Sequence, residues 1–180
     1  DGPPNFENRH WHAKVAGPLG DAEIPLLAAA REKLFAARET RVRPGRDDKV
    51  LTSWNALMIE GMAHAARVFG KNEWLVSAQG AMDCIRATMW QEGRLLATAR
   101  DGRAHLDAYL DDHAFLLSAL LELIQAEFRN EDLAFAIELA DTLLARFEDR
   151  DAGGFYFTAH DHEVLIHRPK TGHDNATPAG

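Results

Sequence analysis

Apolar positions recur at three and four residues over five stretches of the chain, separated by short intervals rich in Gly, Pro or charge. That period predicts five helices. The first is read from Ile24 to Thr40 on Leu27, Ala30, Leu34 and Ala37. After the connector RVRPGRDDK a second begins near Ser53, with Trp54, Leu57, Met58, Gly61, Met62, Ala65 and Phe69 as its buried stripe. Gly70 supplies a left-handed stop. A third spans about Glu73 to Trp90 on Leu75, Ala78, Met82, Ile85 and Met89, and Cys84 in its middle reads as a small buried hydrophobe. The fourth, Leu110 to Phe128, is apolar nearly all round, which predicts cover on both sides. The fifth, Glu131 to Phe147, returns to one stripe. Asp101-Gly102 between short runs predicts a β-hairpin, and Phe155–Thr158 with Val164–Arg168 predicts another.

These pieces repeat. Asn55-Ala56-Leu57 superposes on His113-Ala114-Phe115 and Leu75 on Leu133, both at an interval of 58 positions. The unit is an inner helix, a turn, an outer helix and a Gly-led hairpin, and a third unit begins at Asp174-Asn175-Ala176. Helical hairpins bury their faces against neighbouring repeats, so an array of them curves into a solenoid or closes into a ring. A fully apolar inner helix beside a one-faced outer helix favours the ring. The expected fold class is therefore all-α, a partial α/α toroid with small β-hairpins between its helical hairpins. It occupies residues 24–180 after an irregular lead-in at 1–23. Because the pattern is still running at the last residue, the chain reads as a segment of a longer protein, and its uncovered inner-helix surface is expected to pair with a second copy.

Composition narrows the function. A chain of 180 residues buries roughly 70% of its unfolded surface, enough for a sizeable core. With 20 Lys and Arg against 28 Asp and Glu the net charge is −8, which disfavours nucleic acid and anionic membrane surfaces as partners. A single Cys, no apolar run of membrane-spanning length and no signal-like start lead to a cytoplasmic expectation. His10-x-His12 and His160-x-His162 lack the further ligands that zinc needs, so no metal is expected. No nucleotide-binding or GxSxG motif is present, so no cofactor is expected either.

The candidate chemistry follows from the repeat. Ser53-Trp54-Asn55 superposes on Asp111-Asp112-His113, and Asp174-Asn175 falls in the same place, all at inner-helix starts. Parallel inner helices would gather these starts at one rim. Carboxylates and amides bond hydroxyls in two directions and an indole packs on a pyranose face, so the set suits a sugar. Each residue also has a structural reading. Asp111 and Asp112 are ordinary helix caps, Trp54 begins an apolar stripe, and His113 serves equally as an interior hydrogen-bonded ring. Adjacent helical residues point about 100° apart, so Asp111 and Asp112 cannot together straddle a glycosidic bond, and a second acid such as Asp174 or Asp107 would be needed. On the hydrolytic reading Asp112 leads and Asp111 follows; on an epimerising one His113 moves the proton. Tyr109 either donates to a sugar hydroxyl or wedges its loop. Arg46 and Lys49 read as solvated or locally ion-paired, and Arg168 and Lys170 as surface charges within reach of the rim.

The segments RPGRDDKVLTSWNALMIEGMA (43–63), AYLDDHAFLLSALLELIQA (108–126), GGFYFT (153–158) and DNATPAG (174–180) resemble the spermatogenesis-associated protein 20 family. NFENRHWH (5–12) resembles that family's passage into its helical part. The resemblance implies a six-hairpin, glycosidase-like toroid that in full-length members follows a thioredoxin-like domain, which would then be a partner absent from this chain. It raises Asp47 and Asp48 as rim residues and suggests carbohydrate as ligand, with a non-catalytic scaffold as the alternative. His113 departs from the family pattern, which has Tyr there.

Overall fold

The computed structural model describes residues 3–12, 14, 15, 17–163 and 166–170. Two compact units divide at Arg46 and Asp47. In the first, Phe6 and His10 bridge a tight turn, and α1 runs over Glu23–Glu39 as its period predicts. It begins where the Gly20 N–H donates to the Glu23 carboxylate at 2.8 Å. No α1 residue is buried, contrary to the one-sided burial expected, because Ile24, Leu26, Leu34 and Phe35 are spread round the helix rather than gathered on one face.

The second unit contains β1 (Val50–Leu51), α2 (Thr52–Phe69), α3 (Asn72–Met89), β2 (Trp90–Gln91), β3 (Arg94–Arg100), β4 (Arg103–Asp107), α4 (Leu110–Ala126) and α5 (Asn130–Arg146). Gly70, at φ +63°, ends α2 in the left-handed conformation that glycine adopts without cost. The core joins Ala56, Ile59, Ala63 and Ala66 of α2, Met82, Ile85 and Met89 of α3, Leu116, Ala119, Leu120 and Leu123 of α4, and Phe135 and Leu139 of α5.

The repeat is visible as contact. Ser118 Oγ donates to Glu60 Oε1 at 3.0 Å, His64 Nδ1 lies 3.1 Å from Glu122 Oε1, and Arg67 donates to Gln125 Oε1 at 3.3 Å. All three pairs are separated by 58 positions, so α2 and α4 run parallel and in register. Their outer helices are tied by charge. Arg129 forks onto the fully buried Asp132 with two bonds of 2.7 Å and reaches Asp83 of α3 at 3.0 and 3.1 Å.

The sheet is larger than the all-α expectation allowed. β3 is its centre: β1 pairs with its second half (Leu51↔Thr98), β2 with its first half (Trp90↔Leu95), and β4 with its other edge (Thr98↔His105). Glu92-Gly93 and Asp101-Gly102 have positive φ at both residues, the hairpin turn whose twist matches the strands. Of the second predicted hairpin, Phe157 is joined to Pro169, whose carbonyl accepts its N–H at 2.9 Å. Phe155 makes only an isolated bridge, to Glu148, because Asp149 Oδ1 accepts the N–H groups of Asp151 and Ala152 and closes the turn before the apolar run. Glu148 stands 58 positions after Trp90, so this bridge is the repeat of the β2–β3 turn with a longer loop. Val164 and Leu165 lie outside the described residues. Cys84 is exposed, since the buried line of α3 passes through Met82 and Ile85 on either side of it.

The apolar stripe predicted for α2 is divided, with Leu57 and Met62 half-buried against the core and its bulkiest members open to solvent. Thr52, Ala56, Ile59, Ala63 and Ala66 are the buried face, while Trp54 is 72% and Met58 63% exposed. α4 behaves as predicted, burying eight residues and leaving Leu121 to solvent.

Candidate functional site

The starts of α2 and α4 are joined directly. Asp112, third residue of α4, accepts the Tyr109 N–H on Oδ2 at 3.0 Å, the returning half of a capping box. Its Oδ1 accepts the Ser53 N–H of α2, also at 3.0 Å. One carboxylate therefore satisfies orphan N–H groups of two helices. Asp112 is only 4% exposed, and burial pushes its carboxyl up to about 6, helped by the charge of Asp111 and opposed by the two N–H donors. Asp111 remains half-buried and takes the Asp112 N–H at 3.0 Å.

His113 is 3% exposed, and its Nδ1 lies 2.8 Å from the Tyr109 carbonyl, which places the ring proton on Nδ1. Burial, together with the charge of Arg146, lowers it to about 4, so the ring is neutral near pH 7. The imidazole packs on Phe147 at 4.8 Å between centroids and lines a cavity of about 10 Å³ with Arg94, Asp107 and Arg146, about the room of one water. Asn55 makes the equivalent bond in α2, donating to the Leu51 carbonyl at 2.8 Å.

A separate open hollow of about 430 Å³ lies over the two helix starts, lined by Lys49, Ser53, Tyr109, Asp111 and Asp112 on one side and by Thr98, His105 and Leu106 of the β3–β4 hairpin on the other. Leu106 has φ +64°, a region bulky side chains avoid, and such backbone strain concentrates at functional sites. The Tyr109 ring stacks on Phe157 at 5.1 Å, 13° from parallel, and His162 lies 5.4 Å away.

Of the residues proposed from sequence, the structure thus brings Tyr109, Asp111 and Asp112 together at the hollow. His113 lines the smaller cavity instead, and Trp54 stands on the outward face of α2. Asn55 is held by Leu51. Asp47 is exposed, and the Lys49 backbone N–H donating to its carboxylate, together with the Lys49 ammonium at 3.3 Å, keeps its carboxyl below the ordinary range; Asp48 is exposed beside it. Asp174 and Asn175 lie outside the described residues. Lys170 binds Asp149 at 2.9 Å and Arg168 covers the Tyr156 ring at 4.1 Å, so both brace the last loop. Sequence reasoning missed Thr98, His105 and Leu106. The Asp101-Gly102 turn that carries them back beside Tyr109 was the available signal. Among the described residues no three His, Cys, Asp or Glu side chains group to hold a metal, and no helix is long and apolar enough to cross a membrane.

No family model matches the chain. Human spermatogenesis-associated protein 20 is 32% identical over 146 residues, 76% of this chain and 19% of that protein. An uncharacterised protein of Caenorhabditis elegans is 28% identical over 157 residues, 83% of this chain and 21% of its own length. The chain thus spans about a fifth of the curated relatives it matches. Among solved structures, cellobiose 2-epimerase from Bacillus thermoamylovorans superposes with a TM-score of 0.59 at 15% identity, over 67% of this chain and 35% of that one. The cellobiose 2-epimerase from Spirochaeta thermophila gives 0.56 at 20% identity, over 77% and 41%. At such identities the likeness is one of fold. By sequence the chain belongs to the spermatogenesis-associated protein 20 family, and its helical fold is similar to that of the two cellobiose 2-epimerases.

Proposed function

We propose that the chain is part of a six-hairpin α/α toroid and that the hollow over the starts of α2 and α4 binds a carbohydrate. The observation that carries this is the in-register packing of the two parallel helices. It sets both N-termini against one hollow large enough for a sugar unit and lined by groups that bond hydroxyls. Asp111 is the carboxylate with capacity to spare, since both oxygens of Asp112 are already engaged. Tyr109 offers a hydroxyl and His105 both a donor and an acceptor. In this reading Asp111 orients the sugar and is the group placed to exchange a proton with it, whereas Asp112 and His113 build the site from behind. The named fold neighbours are cellobiose 2-epimerases, which makes epimerisation the first conversion to assay. The same reading places the chain in a longer, cytoplasmic protein alongside a thioredoxin-like domain.

Calorimetric titration with mannose, N-acetylglucosamine and cellobiose tests the binding. Saturable heat that disappears in Asp111→Ala and weakens in Tyr109→Phe supports the site. Heat unaffected by both substitutions, or absent with every sugar, removes it. Deuterium uptake at the sugar C2 in heavy water then separates conversion from binding.

A further inference from the structure

One wall of the hollow holds a hydroxyl that the fold does not use. Thr98, in the middle of β3, is only 5% exposed, and its Oγ1 has no hydrogen-bond partner. Among the described residues four buried side-chain polar atoms are unpartnered in this way, and Thr98 is the one of them that lines the hollow. The contrast with Thr52 is direct: that residue is also buried, and its hydroxyl donates to the Leu96 carbonyl at 2.6 Å. The packing of this part of β3 on the core is made by Ala97 and Ala99, on either side of Thr98. Valine would fill the space of Thr98 without leaving a polar group unpaired, so the chain carries a hydroxyl that costs stability where it stands.

Strand pairing fixes where that hydroxyl lies. Leu51 of β1 and His105 of β4 stand directly opposite Thr98, and opposed residues on paired strands share a sheet face. Leu51 and His105 also line the hollow, so Thr98 is the centre of its sheet wall, with Ser53 and Asp111 of the helix starts across from it. We propose that Thr98 is a specificity-determining residue of this site: its hydroxyl bonds one hydroxyl of the bound sugar, while His105 beside it engages the next. The inference rests on the carbohydrate reading of the hollow. Cross-strand partners stand about 5 Å apart, a span that two adjacent sugar hydroxyls bridge, so the ligand class is a sugar with a free vicinal pair. As the chain stands, Thr98 Oγ1 is closed off from solvent. Leu106, exposed and held at φ +64°, is the point at which β4 gives way, because return to extended backbone relieves a conformation that leucine avoids. A sugar lacking the hydroxyl leaves Thr98 unpaired, which is how a buried polar group discriminates between ligands.

Calorimetric titration of the chain with mannose, N-acetylglucosamine and cellobiose, alongside thermal unfolding, tests this. Thr98→Val is expected to weaken binding of the sugar that the wild type takes by about tenfold, the loss of one hydrogen bond, with a melting temperature unchanged or raised because the unpaired group is gone. Thr98→Ser restores most of the affinity, and the Leu106 amide resonance shifts as the sugar saturates. Unchanged affinity in Thr98→Val, in a chain whose binding Asp111→Ala abolishes, overturns the inference and leaves the sugar site standing. So does an affinity that falls together with the melting temperature and is not recovered by Thr98→Ser, because Thr98 is then a packing residue, and so does a Leu106 amide unmoved at saturation. No heat from the wild type with any of the three sugars overturns the inference and the site together.

Discussion

Asn55 and His113 make the same hydrogen bond: each side chain donates to the backbone carbonyl four residues earlier, Leu51 and Tyr109, at 2.8 Å in both. A short amide and an imidazole thus perform one structural task at equivalent places in two repeats. His113→Asn is accordingly expected to keep the bond and to cost at most about 2 kcal/mol, chiefly from lost ring packing on Phe147. Urea unfolding checks this, and His113→Ala, which loses bond and ring together, is expected to cost clearly more.

Asp112 is expected to matter more than any other polar residue at the helix starts. Asp112→Ala strands the Ser53 and Tyr109 N–H groups together, and a loss of about 3 kcal/mol is predicted from two bonds to a charged acceptor. Asp112→Asn keeps one acceptor oxygen and should lose about half as much. Denaturant titration of the two variants reads the difference.

Asp112 and His113 should oppose one another as pH changes. The Asp112 carboxyl is raised to about 6, so the native state holds its proton more tightly than the unfolded chain, and stability falls as pH rises from the ordinary carboxylate value of 3.8 through 6. His113 is lowered to about 4 from 6.5, so the unfolded chain takes up its proton first, and stability rises with pH across nearly the same interval. Each slope is limited to about 1.4 kcal/mol per pH unit, and the two largely cancel. The melting temperature of His113→Asn is therefore expected to fall between pH 4 and 6, and that of Asp112→Asn to rise over the same range. Parallel slopes in the two variants would contradict the assignment.

Arg129 holds the outer helices. Its fork satisfies both oxygens of Asp132, which has no exposure of its own. Arg129→Ala leaves that carboxylate with the longer 3.4 Å contact to Arg86, and a loss of 3 to 5 kcal/mol, to about that order, is expected. Arg129→Lys cannot form two parallel bonds and should recover only part of it, as thermal unfolding will show.

The helices, the interval of 58 and the Asp101-Gly102 turn were legible because each rests on local chemistry: period, glycine at positive φ, and self-similarity. The orientation of α2 was not. The helix is apolar on two sides, and the side with the bulkier residues, Trp54 and Met58, is the open one, whereas the small Ala56, Ala63 and Ala66 are buried in the core. Helix periodicity locates a stripe and does not say which of two stripes meets a neighbour. The candidate site was half legible for the same reason. Position at a helix start put Asp111, Asp112 and His113 forward together, but only packing separates the carboxylate that faces the hollow from the one spent on Ser53 and from the ring turned toward Phe147. Thr98 and His105 entered through strand pairing, which one strand alone does not reveal.

Whether the hollow over the α2 and α4 starts takes a sugar is read from backbone amide shifts of the isotope-labelled chain during titration with the same sugars. Saturable shifts are expected at Ser53, His105, Leu106 and Asp111, with Asp83 and Arg129 unmoved and the response absent in Asp111→Ala. Shifts confined to other surfaces, or none at all with any sugar, would contradict it.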